Sequence, residues 1–288
     1  MTYKRNSIKN EDTFNFFEWK WKKVPSWGDK TKDIYQNWYL KKYGYTVSSF
    51  ATFLNEKKNI LDAGCGLGRD IAYFRMLSKD NLIVGLDQSE SAINHVKSLN
   101  LENVELYNFD ITNNLNKLGY MFDFISCDQV LHHTPDPIET LKNLASVMND
   151  NATLHFFVCN KKNEIRDFVD DTIMDYARYM SPEQLWKFSE VVTEFGKALK
   201  GLNIENIKFK DKAYPTLQNF IHNQVFRCWY NDDIDFDLSV SSNYDWFSNN
   251  PRYSKNDVLY FLSQVDQLSE TRVYEDDACI AVVAKKLS

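Results

Sequence analysis

Four aspartates, each at the end of a short apolar stretch, are the residues of this chain whose type and spacing best suit chemistry. They are Asp62, Asp87, Asp110 and Asp128. Apolar stretches separated by helical patterns predict parallel strands, and ligands bind at the carboxyl ends of such strands. One aspartate in this position could cap a helix, whereas four on successive strands predict a binding site. A group of carboxylates suits a ligand that carries positive charge.

Three glycines follow the first of these aspartates at every second position. They are Gly64, Gly66 and Gly68. The whole chain has nine glycines among 288 residues, so their concentration here indicates a structural demand. A strand, this turn and a helix that begins at residue 69 predict a backbone cradle that a ligand can approach closely. Dinucleotide-binding folds use a similar turn, so the glycines alone do not identify the ligand.

The elements that must position these residues alternate between strand and helix. The predicted strands cover residues 58–62, 82–87, 104–108, 122–128, 152–159, 272–274 and 279–285. Helical patterns over residues 90–98 and 137–148 lie between them. This alternation predicts an α/β fold of the Rossmann type, with a mostly parallel seven-stranded sheet and helices on both faces.

The composition is typical of a globular protein, and it bears on which partners and which cell compartment to expect. The apolar fraction is 43% and the net charge is −6, which argues against a nucleic-acid partner. The five cysteines form no CxxC pair, so we expect reduced thiols, no metal site and a cytoplasmic location. The apolar runs are too short to predict a membrane span. We expect a small-molecule substrate and leave a homo-oligomer open.

Motif I of the class I S-adenosylmethionine-dependent methyltransferases resembles residues 60–68, Ile-Leu-Asp-Ala-Gly-Cys-Gly-Leu-Gly. The resemblance continues in the same order through Asp87, Asp110 and residues 122–137. It implies the class I methyltransferase fold, S-adenosyl-L-methionine as cofactor and S-adenosyl-L-homocysteine as product. The spacing G-x-G-x-G and the position of Asp110 favour this family over the nicotinamide-dependent dehydrogenases.

The resemblance also implies a set of cofactor-binding residues. They are Asp62, Gly64, Cys65, Gly66, Gly68, Asp87, Gln88, Asp110, Ile111, Asp128 and Gln129. Asp87 is expected to accept hydrogen bonds from the ribose hydroxyls, and Asp110 to bind the adenine amino group beside the Ile111 amide. Asp62 and Asp128 are expected to face the methionine end, where the ligand is cationic.

Three parts of the chain receive separate roles. Residues 1–57 are basic and aromatic and predict a helical lid, residues 58–159 and 255–288 the cofactor-binding core, and residues 160–254 an inserted, aromatic-rich helical cap. Substrate contacts are expected from polar groups among aromatic side chains, mostly in the cap. The candidates are Arg166, His222, Tyr244, Asp245, Arg252 and Tyr253. The cap resembles those of methyltransferases of surface-glycan and secondary-metabolite pathways.

Catalysis needs little from the protein beyond positioning and a proton acceptor. The catalytic candidates are His132 and His133, which follow the fourth strand. Histidine is the usual base for an oxygen or nitrogen nucleophile that bears a proton, and we favour His132 for that role over His133. We therefore expect methyl transfer to oxygen or nitrogen of a small molecule, such as a sugar or a secondary-metabolite precursor.

Three other functions stay open. A non-catalytic protein could hold S-adenosylmethionine or S-adenosylhomocysteine as a regulatory ligand. A nicotinamide-dependent dehydrogenase would share the fold but not the glycine spacing. A methyltransferase of RNA or protein would use the basic N-terminal segment, although the acidic loop over residues 232–237 would repel RNA phosphates.

Overall fold

The computed structural model describes residues 10–248 and 250–287, which group into two compact units. Residues 1–9 of the predicted lid lie outside the described residues. The predicted division into lid, core and cap stays a prediction. The first unit comprises residues 10, 21–160 and 251–287, and the second unit comprises residues 11–20, 161–248 and 250.

The strands of the first unit form one mostly parallel sheet. In chain order, all the described strands are β1 (Asn59–Ala63), β2 (Leu82–Asp87), β3 (Val104–Asn108), β4 (Phe122–Cys127), β5 (Met148–Asn160), β6 (Glu205–Phe209), β7 (Lys212–Thr216), β8 (Arg252–Tyr253), β9 (Leu268–Glu275) and β10 (Cys279–Lys286). The sheet has the order β3-β2-β1-β4-β5-β10-β9, and the short β8 pairs with β5. Among these strands β10 alone runs opposite to the rest, so its pairings with β5 and β9 are antiparallel and the other pairings are parallel. This topology confirms the predicted Rossmann-like α/β fold.

Helices join these strands and build the second unit. They are α1 (Asn10–Lys23), α2 (Trp27–Tyr43), α3 (Val47–Asn55), α4 (Arg69–Leu77), α5 (Glu90–Ser98), α6 (Pro137–Ser146), α7 (Glu164–Ala177), α8 (Pro182–Lys200), α9 (Leu217–Gln224), α10 (Phe236–Ser248) and α11 (Lys255–Ser263). Helices α4 and α5 are crossovers between parallel strands, so β1, β2 and β3 all end at the same edge of the sheet. None of the described helices has both the length and the apolarity needed to cross a bilayer.

The sheet is held by apolar side chains that lie next to one another across the strands. Leu61, Val84, Ile125 and Leu154 come from four neighbouring strands, are in register, and are fully buried. Strands that are buried on both faces read as continuous apolar runs, which is why the sequence predicts them well. One residue further along these strands, the next row across the sheet contains the polar side chains at which the candidate site begins.

In the second unit, helix α8 packs against α10 and begins with a capping box. The Gln184 amide donates to Ser181 Oγ at 3.3 Å, and the Ser181 amide donates to Gln184 Oε1 at 2.8 Å. Pro182 occupies the first helical turn, where its missing N–H costs nothing. Serine, proline and, three residues after the serine, glutamine are the sequence pattern that predicts a helix start at residues 181–184, and the structure confirms it.

Two features of the second unit differ from the prediction. The sequence predicts a helix over residues 217–230, whereas α9 ends at Gln224, because side chains satisfy the backbone that follows. Gln218 Nε2 donates to the Cys228 carbonyl at 3.0 Å, and the Arg227 amide donates to Asp170 Oδ1 at 3.0 Å. Helix α10 is not predicted by the sequence, and it begins at Phe236, inside the loop predicted over residues 232–237. Nine of its 13 residues are buried, so it shows no single apolar stripe that would reveal a helix.

Gly196 of α8 provides a test of this packing. A Cβ atom there would overlap the carbonyl oxygen of Cys228, whereas a Cβ atom at Gly201 would lie 3.5 Å or more from its neighbours. We expect Gly196→Ala to lower the free energy of unfolding by about 1–3 kcal/mol through overpacking. The control Gly201→Ala should change it by less than about 0.5 kcal/mol. Urea unfolding measures both; equal stability of the two variants would contradict the close contact.

Candidate functional site

The glycine turn after β1 has a shape that larger residues would not adopt. Gly64 and Gly66 have φ angles of +86° and +49°. A Cβ atom at Gly64 would lie 2.5 Å from the Val130 side chain, and one at Gly66 would lie 3.2 Å from the Trp21 ring. Gly68 precedes α4, also with positive φ. The positive φ angles and these close contacts therefore require glycine in the turn.

Asp87 holds this turn against the end of β2. Its Oδ2 accepts a hydrogen bond from the Gly66 amide, and its Oδ1 accepts one from the Ser89 amide, both at 2.8 Å. The amides of Gly64 and Cys65 donate to the Leu86 carbonyl at 2.8 Å. A carboxylate oxygen can accept more than one hydrogen bond, so these contacts orient Asp87 without exhausting its capacity.

The loop after β3 is anchored in the same way. Asp110 Oδ1 accepts a hydrogen bond from the Thr112 amide at 2.9 Å, which fixes its side chain in an Asx turn. Ile111 is buried, and its carbonyl accepts a bond from Asn143 Nδ2 at 2.7 Å. The Gln88 carbonyl accepts a bond from Asn108 Nδ2 at 2.7 Å, which ties the ends of β2 and β3 together.

Asp62 is a buried carboxyl group whose capacity to accept hydrogen bonds is only partly used. Its Oδ2 has no hydrogen-bond partner among the described residues. Burial, together with the charges of Asp70, Asp128 and Asp87, raises the pKa of Asp62 well above its ordinary value, although Arg69 opposes this shift. Such a group favours a cationic hydrogen-bond donor, because the donor would satisfy the oxygen and compensate the charge.

Asp128, in contrast, has partners on both oxygens. Oδ1 accepts from Lys42 Nζ at 2.6 Å and from the Tyr43 hydroxyl at 2.7 Å, and Oδ2 accepts from Gln129 Nε2 at 3.0 Å. Burial alone would raise the pKa of Asp128, but Lys42 and Arg69 hold it below its ordinary value. We infer that Asp128 positions its neighbours, and that Asp62 is better placed to meet a cation.

The partner of Asp128 on α2 was not identified by sequence reasoning. Lys42 is almost fully buried, and its Nζ lies 4.0 Å from the Trp38 ring centroid and 4.7 Å from that of Phe157. The sequence shows a lysine in an aromatic-rich helix, but it does not show which distant carboxylate the lysine meets. The ion pair therefore makes α2 part of the site's support.

A polar row crosses the sheet beside Asp62. Asp62, Ser126 and His155 lie in register on β1, β4 and β5. The Tyr39 hydroxyl of α2 lies 3.2 Å from Ser126 Oγ and 3.0 Å from His155 Nδ1. The Tyr43 ring stacks on His155 at 4.2 Å, and burial lowers the pKa of this histidine to about 3. His155 is therefore neutral and structural.

The two catalytic candidates occupy different environments. His132 is 2% exposed, and its Nδ1 has no partner among the described residues. Burial, with smaller effects of His133 and Lys42, lowers the pKa of His132 well below its ordinary value. His133 is only half-buried, with its ring centroid 4.0 Å from that of His132. A weakly basic, enclosed imidazole is a poor proton acceptor, so the geometry favours His133 over His132 as the base.

The substrate candidates are distributed over both units. In the first unit, Arg252 and Tyr253 form β8 and pair with the end of β5. In the second unit, Tyr244 is fully buried, and its hydroxyl donates to the Phe16 carbonyl at 3.0 Å, so we infer a packing role for it. Asp245 pairs with Lys20 at 2.5 Å, and burial raises the pKa of this carboxyl.

Arg166 and His222 also lie in the second unit, where both face other polar groups. Arg166 is 1% exposed, and its Nε donates to Asp170 Oδ2 at 2.5 Å. His222 is half-buried, and its Nδ1 accepts a long hydrogen bond from the Cys228 amide at 3.4 Å. Among the residues that the structure describes, no group of histidine, cysteine or carboxylate side chains could hold a metal ion.

Comparison with known proteins gives one family. A family model described as a methyltransferase domain matches residues 54–220. Over 150 residues the chain is 30% identical to a ubiquinone biosynthesis O-methyltransferase of Coxiella burnetii (strain Dugway 5J108-111), which covers 46% of this chain and 62% of that relative. The chain thus spans less than two thirds of that relative's length.

Two further comparisons are more distant. A ubiquinone biosynthesis O-methyltransferase of Vibrio vulnificus (strain YJ016) is 21% identical over 185 residues, or 59% of this chain and 78% of that protein. The solved structure of an O-methyltransferase family protein from Burkholderia thailandensis aligns over 92% of this chain and 59% of that protein's chain, at 10% identity and a TM-score of 0.49.

The raised pKa of Asp62 predicts an unusual response to Asp62→Asn. The ionised form is disfavoured in the folded state, so above the unfolded pKa of about 3.9 this group costs stability. We expect Asp62→Asn to be more stable than the parent at pH 7, with the gain vanishing below about pH 4. Urea unfolding across this pH range measures it.

Asp123 is the matched control for that substitution. It lies on neighbouring β4, and hydrogen bonds from Asn149 and from the Lys58 and Asn59 amides outweigh burial and lower its pKa. Its contribution is present above about pH 4 and lost as the pH falls through its folded pKa, so Asp123→Asn should destabilise the protein at pH 7. A loss of stability in both variants would contradict the incompletely satisfied state of Asp62.

Proposed function

Because the chain belongs to the methyltransferase domain family, we propose that it is an S-adenosylmethionine-dependent methyltransferase of small molecules. The observation that carries the proposal is the combination, in the first unit, of the glycine turn, the oriented Asp87 and an Asp62 oxygen to which none of the described residues donates. Each would meet a different part of one ligand. The turn would form a backbone cradle, Asp87 would accept hydrogen bonds from hydroxyls, and Asp62 would accept one from a cationic amine.

The carboxylates of the first unit suit the positive charge of this cofactor. When bound, S-adenosyl-L-methionine supplies a methyl group on a positively charged sulfur. Asp87 would accept hydrogen bonds from the ribose hydroxyls, Asp110 and the Ile111 amide would bind the adenine edge, and Asp62 would accept from the ammonium group.

The same charges argue against a dinucleotide. The shift in the pKa of Asp62 reports several carboxylates close together, and a pyrophosphate would add negative charge beside them. A cationic ligand would relieve that repulsion. This supports the methyltransferase over the nicotinamide-dependent dehydrogenase that the fold also allows.

The chain's own contribution to methyl transfer would be positioning and proton acceptance. Holding the acceptor atom in line with the methyl group removes most of the entropic barrier. An oxygen or nitrogen nucleophile that bears a proton needs a base, and we propose His133 for this role because it is less enclosed than His132. Asp128 and Lys42 would serve as positioning residues.

For the acceptor, we propose a hydroxyl or amine of a small molecule, such as a sugar or a secondary-metabolite precursor. The O-methyltransferase names of the relatives support oxygen as the accepting atom. We propose a reducing compartment such as the cytoplasm, since all five cysteines are free and buried.

Calorimetric titration of the full chain with S-adenosyl-L-methionine, S-adenosyl-L-homocysteine and NAD tests the ligand. We expect the first two to bind with one site and NAD not to bind. Asp87→Ala should weaken both by about 10–100-fold, because it removes charge-assisted hydrogen bonds of about 1.5–3 kcal/mol. The exposed Asp80, which precedes the same strand, gives a control: Asp80→Ala should bind as the parent does.

Thermal unfolding of each variant separates binding from folding, since Asp87 also holds the Gly66 amide. Full affinity in a folded Asp87→Ala variant would overturn the assignment, and so would tight binding of NAD. The chain can also be incubated with S-adenosyl-L-methionine and a metabolite extract, and the products analysed by mass spectrometry. If the cofactor binds but no component of the extract is methylated, the non-catalytic binding protein is favoured.

The choice of base gives a second prediction. With an acceptor from that screen, His133→Ala should lower kcat by about 10²–10⁴-fold and leave cofactor affinity unchanged. His132→Ala should instead lower the free energy of unfolding, because it removes a buried ring, with a smaller effect on kcat. The reverse pattern in single-turnover kinetics would assign the base to His132.

A further inference from the structure

Two cysteines of the first unit face each other where β5 ends and β10 begins. Cys159 and Cys279 are Cα partners in the antiparallel pairing of these strands, and both are buried. The Asn160 amide donates to the Ala278 carbonyl at 3.1 Å, so the next pair along the ladder is hydrogen-bonded. Hydrogen-bonded and non-hydrogen-bonded pairs alternate along an antiparallel ladder, so the two cysteines form a non-hydrogen-bonded pair.

This position suits a disulfide bond. Directly opposed residues project from the same face of a sheet, and in a non-hydrogen-bonded pair their Cα atoms lie about 4.5 Å apart. Disulfides span Cα separations of about 4.4–6.8 Å, so the strands need little movement to bring the two sulfur atoms within bonding distance. Burial raises the pKa of the Cys279 thiol, and Cys159 is among the groups that add to this shift, as expected of two thiols close together.

The pair lies on the face of the sheet that α2 covers. Side chains alternate along a strand, so Cys159 shares the face of Phe157, whose ring centroid is 5.5 Å from that of Trp38. The turn before β10 is tied to the same helix, because Asp276 Oδ1 accepts from the Cys279 amide at 2.9 Å and Oδ2 accepts from Trp38 Nε1 at 3.4 Å. A covalent bond between the two strands would therefore fasten the surface against which α2 packs.

An oxidant can reach the pair through the ends of the two strands. Residues 277 and 278, in the turn between β9 and β10, are exposed, and Cys279 is the first residue of β10. Strand ends open locally at a lower cost in free energy than strand centres, and opening here exposes both thiols. The closed pair reacts slowly, because a buried thiol forms little thiolate. We therefore expect oxidation over minutes to hours.

We propose that Cys159 and Cys279 are a redox pair, which a peroxide oxidises to a cross-strand disulfide and which a thiol reduces again. One cysteine loses its proton, and its sulfur attacks hydrogen peroxide and breaks the O–O bond, which gives a sulfenic acid and hydroxide. The hydroxide takes up that proton and becomes water. The second thiol then attacks the sulfenic sulfur and releases a second water, so two electrons pass from the sulfur atoms to the peroxide.

Peptide mapping of the folded full chain tests the pair. The protein is incubated with hydrogen peroxide, the remaining thiols are alkylated, and the non-reduced digest is analysed by mass spectrometry. We expect one intramolecular cross-link, between the peptides that contain Cys159 and Cys279, and its loss on treatment with dithiothreitol. Oxidation should also raise the midpoint of thermal unfolding of the first unit by about 5–15 °C, because the bond closes a loop of about 120 residues in the unfolded chain.

Two variants make the result specific. Cys279→Ala should abolish both the cross-link and the rise in the midpoint. Cys127→Ala is the matched control, because Cys127 is a buried cysteine at the end of β4 whose register partner on β5 is Phe156, so the cross-link should persist.

The cross-link in the parent decides the outcome even if a variant fails to fold. A disulfide that involves another cysteine, a bond between two chains, oxidation of single cysteines to sulfinic acid without a cross-link, or five unmodified thiols overturns the pair. The mapping omits S-adenosylmethionine and the methyl acceptor, so the inference stands or falls independently of the proposed function.

Discussion

Repulsion among buried carboxylates is the constraint on which the first unit depends. Parallel strands that end at one edge bring their terminal aspartates together, and removing those charges from water is costly. Two cations reduce the cost: Lys42 from α2 and Arg69 from the start of α4 both approach Asp128. Asp62 is left with a raised pKa and with one oxygen that has no hydrogen-bond donor in the part of the chain that the structure describes. The unit therefore holds a local electrostatic strain that a cationic ligand would relieve.

The second unit is also organised around a buried carboxylate. Asp170 accepts hydrogen bonds from Arg166 and Trp246, and the cationic groups of Lys162, Arg166 and Arg227 lie against the Trp246 ring. A carboxylate that is removed from water needs such hydrogen bonds, because they offset the cost of burying its charge. The same constraint therefore acts in both units, and each meets it with its own side chains.

The sequence predicts the structure correctly where a residue's surroundings are set by its near neighbours along the chain. The continuous apolar strands, the glycine turn and the capping box at Ser181 are local patterns with local causes, and the structure has them where the sequence predicts them. Helix α10 was missed because burial on most sides removes the periodicity that marks a helix. The Lys42–Asp128 pair was missed because its partners are 86 residues apart, and no spacing rule connects them.

Helix α2 has a consequence for how the protein is made. Its inner face depends on residues that are synthesised much later: Tyr39 waits for Ser126 and for His155, which is 116 residues downstream. Until β5 has been synthesised, α2 has no complete sheet to pack against. Its tryptophan and tyrosine side chains, and the lysine that becomes buried, then remain exposed. Folding of the first unit must then proceed by closing long loops, which is slow and leaves apolar surface open to association. The emerging chain would thus expose this aromatic helix while the residues between Tyr39 and His155 are synthesised.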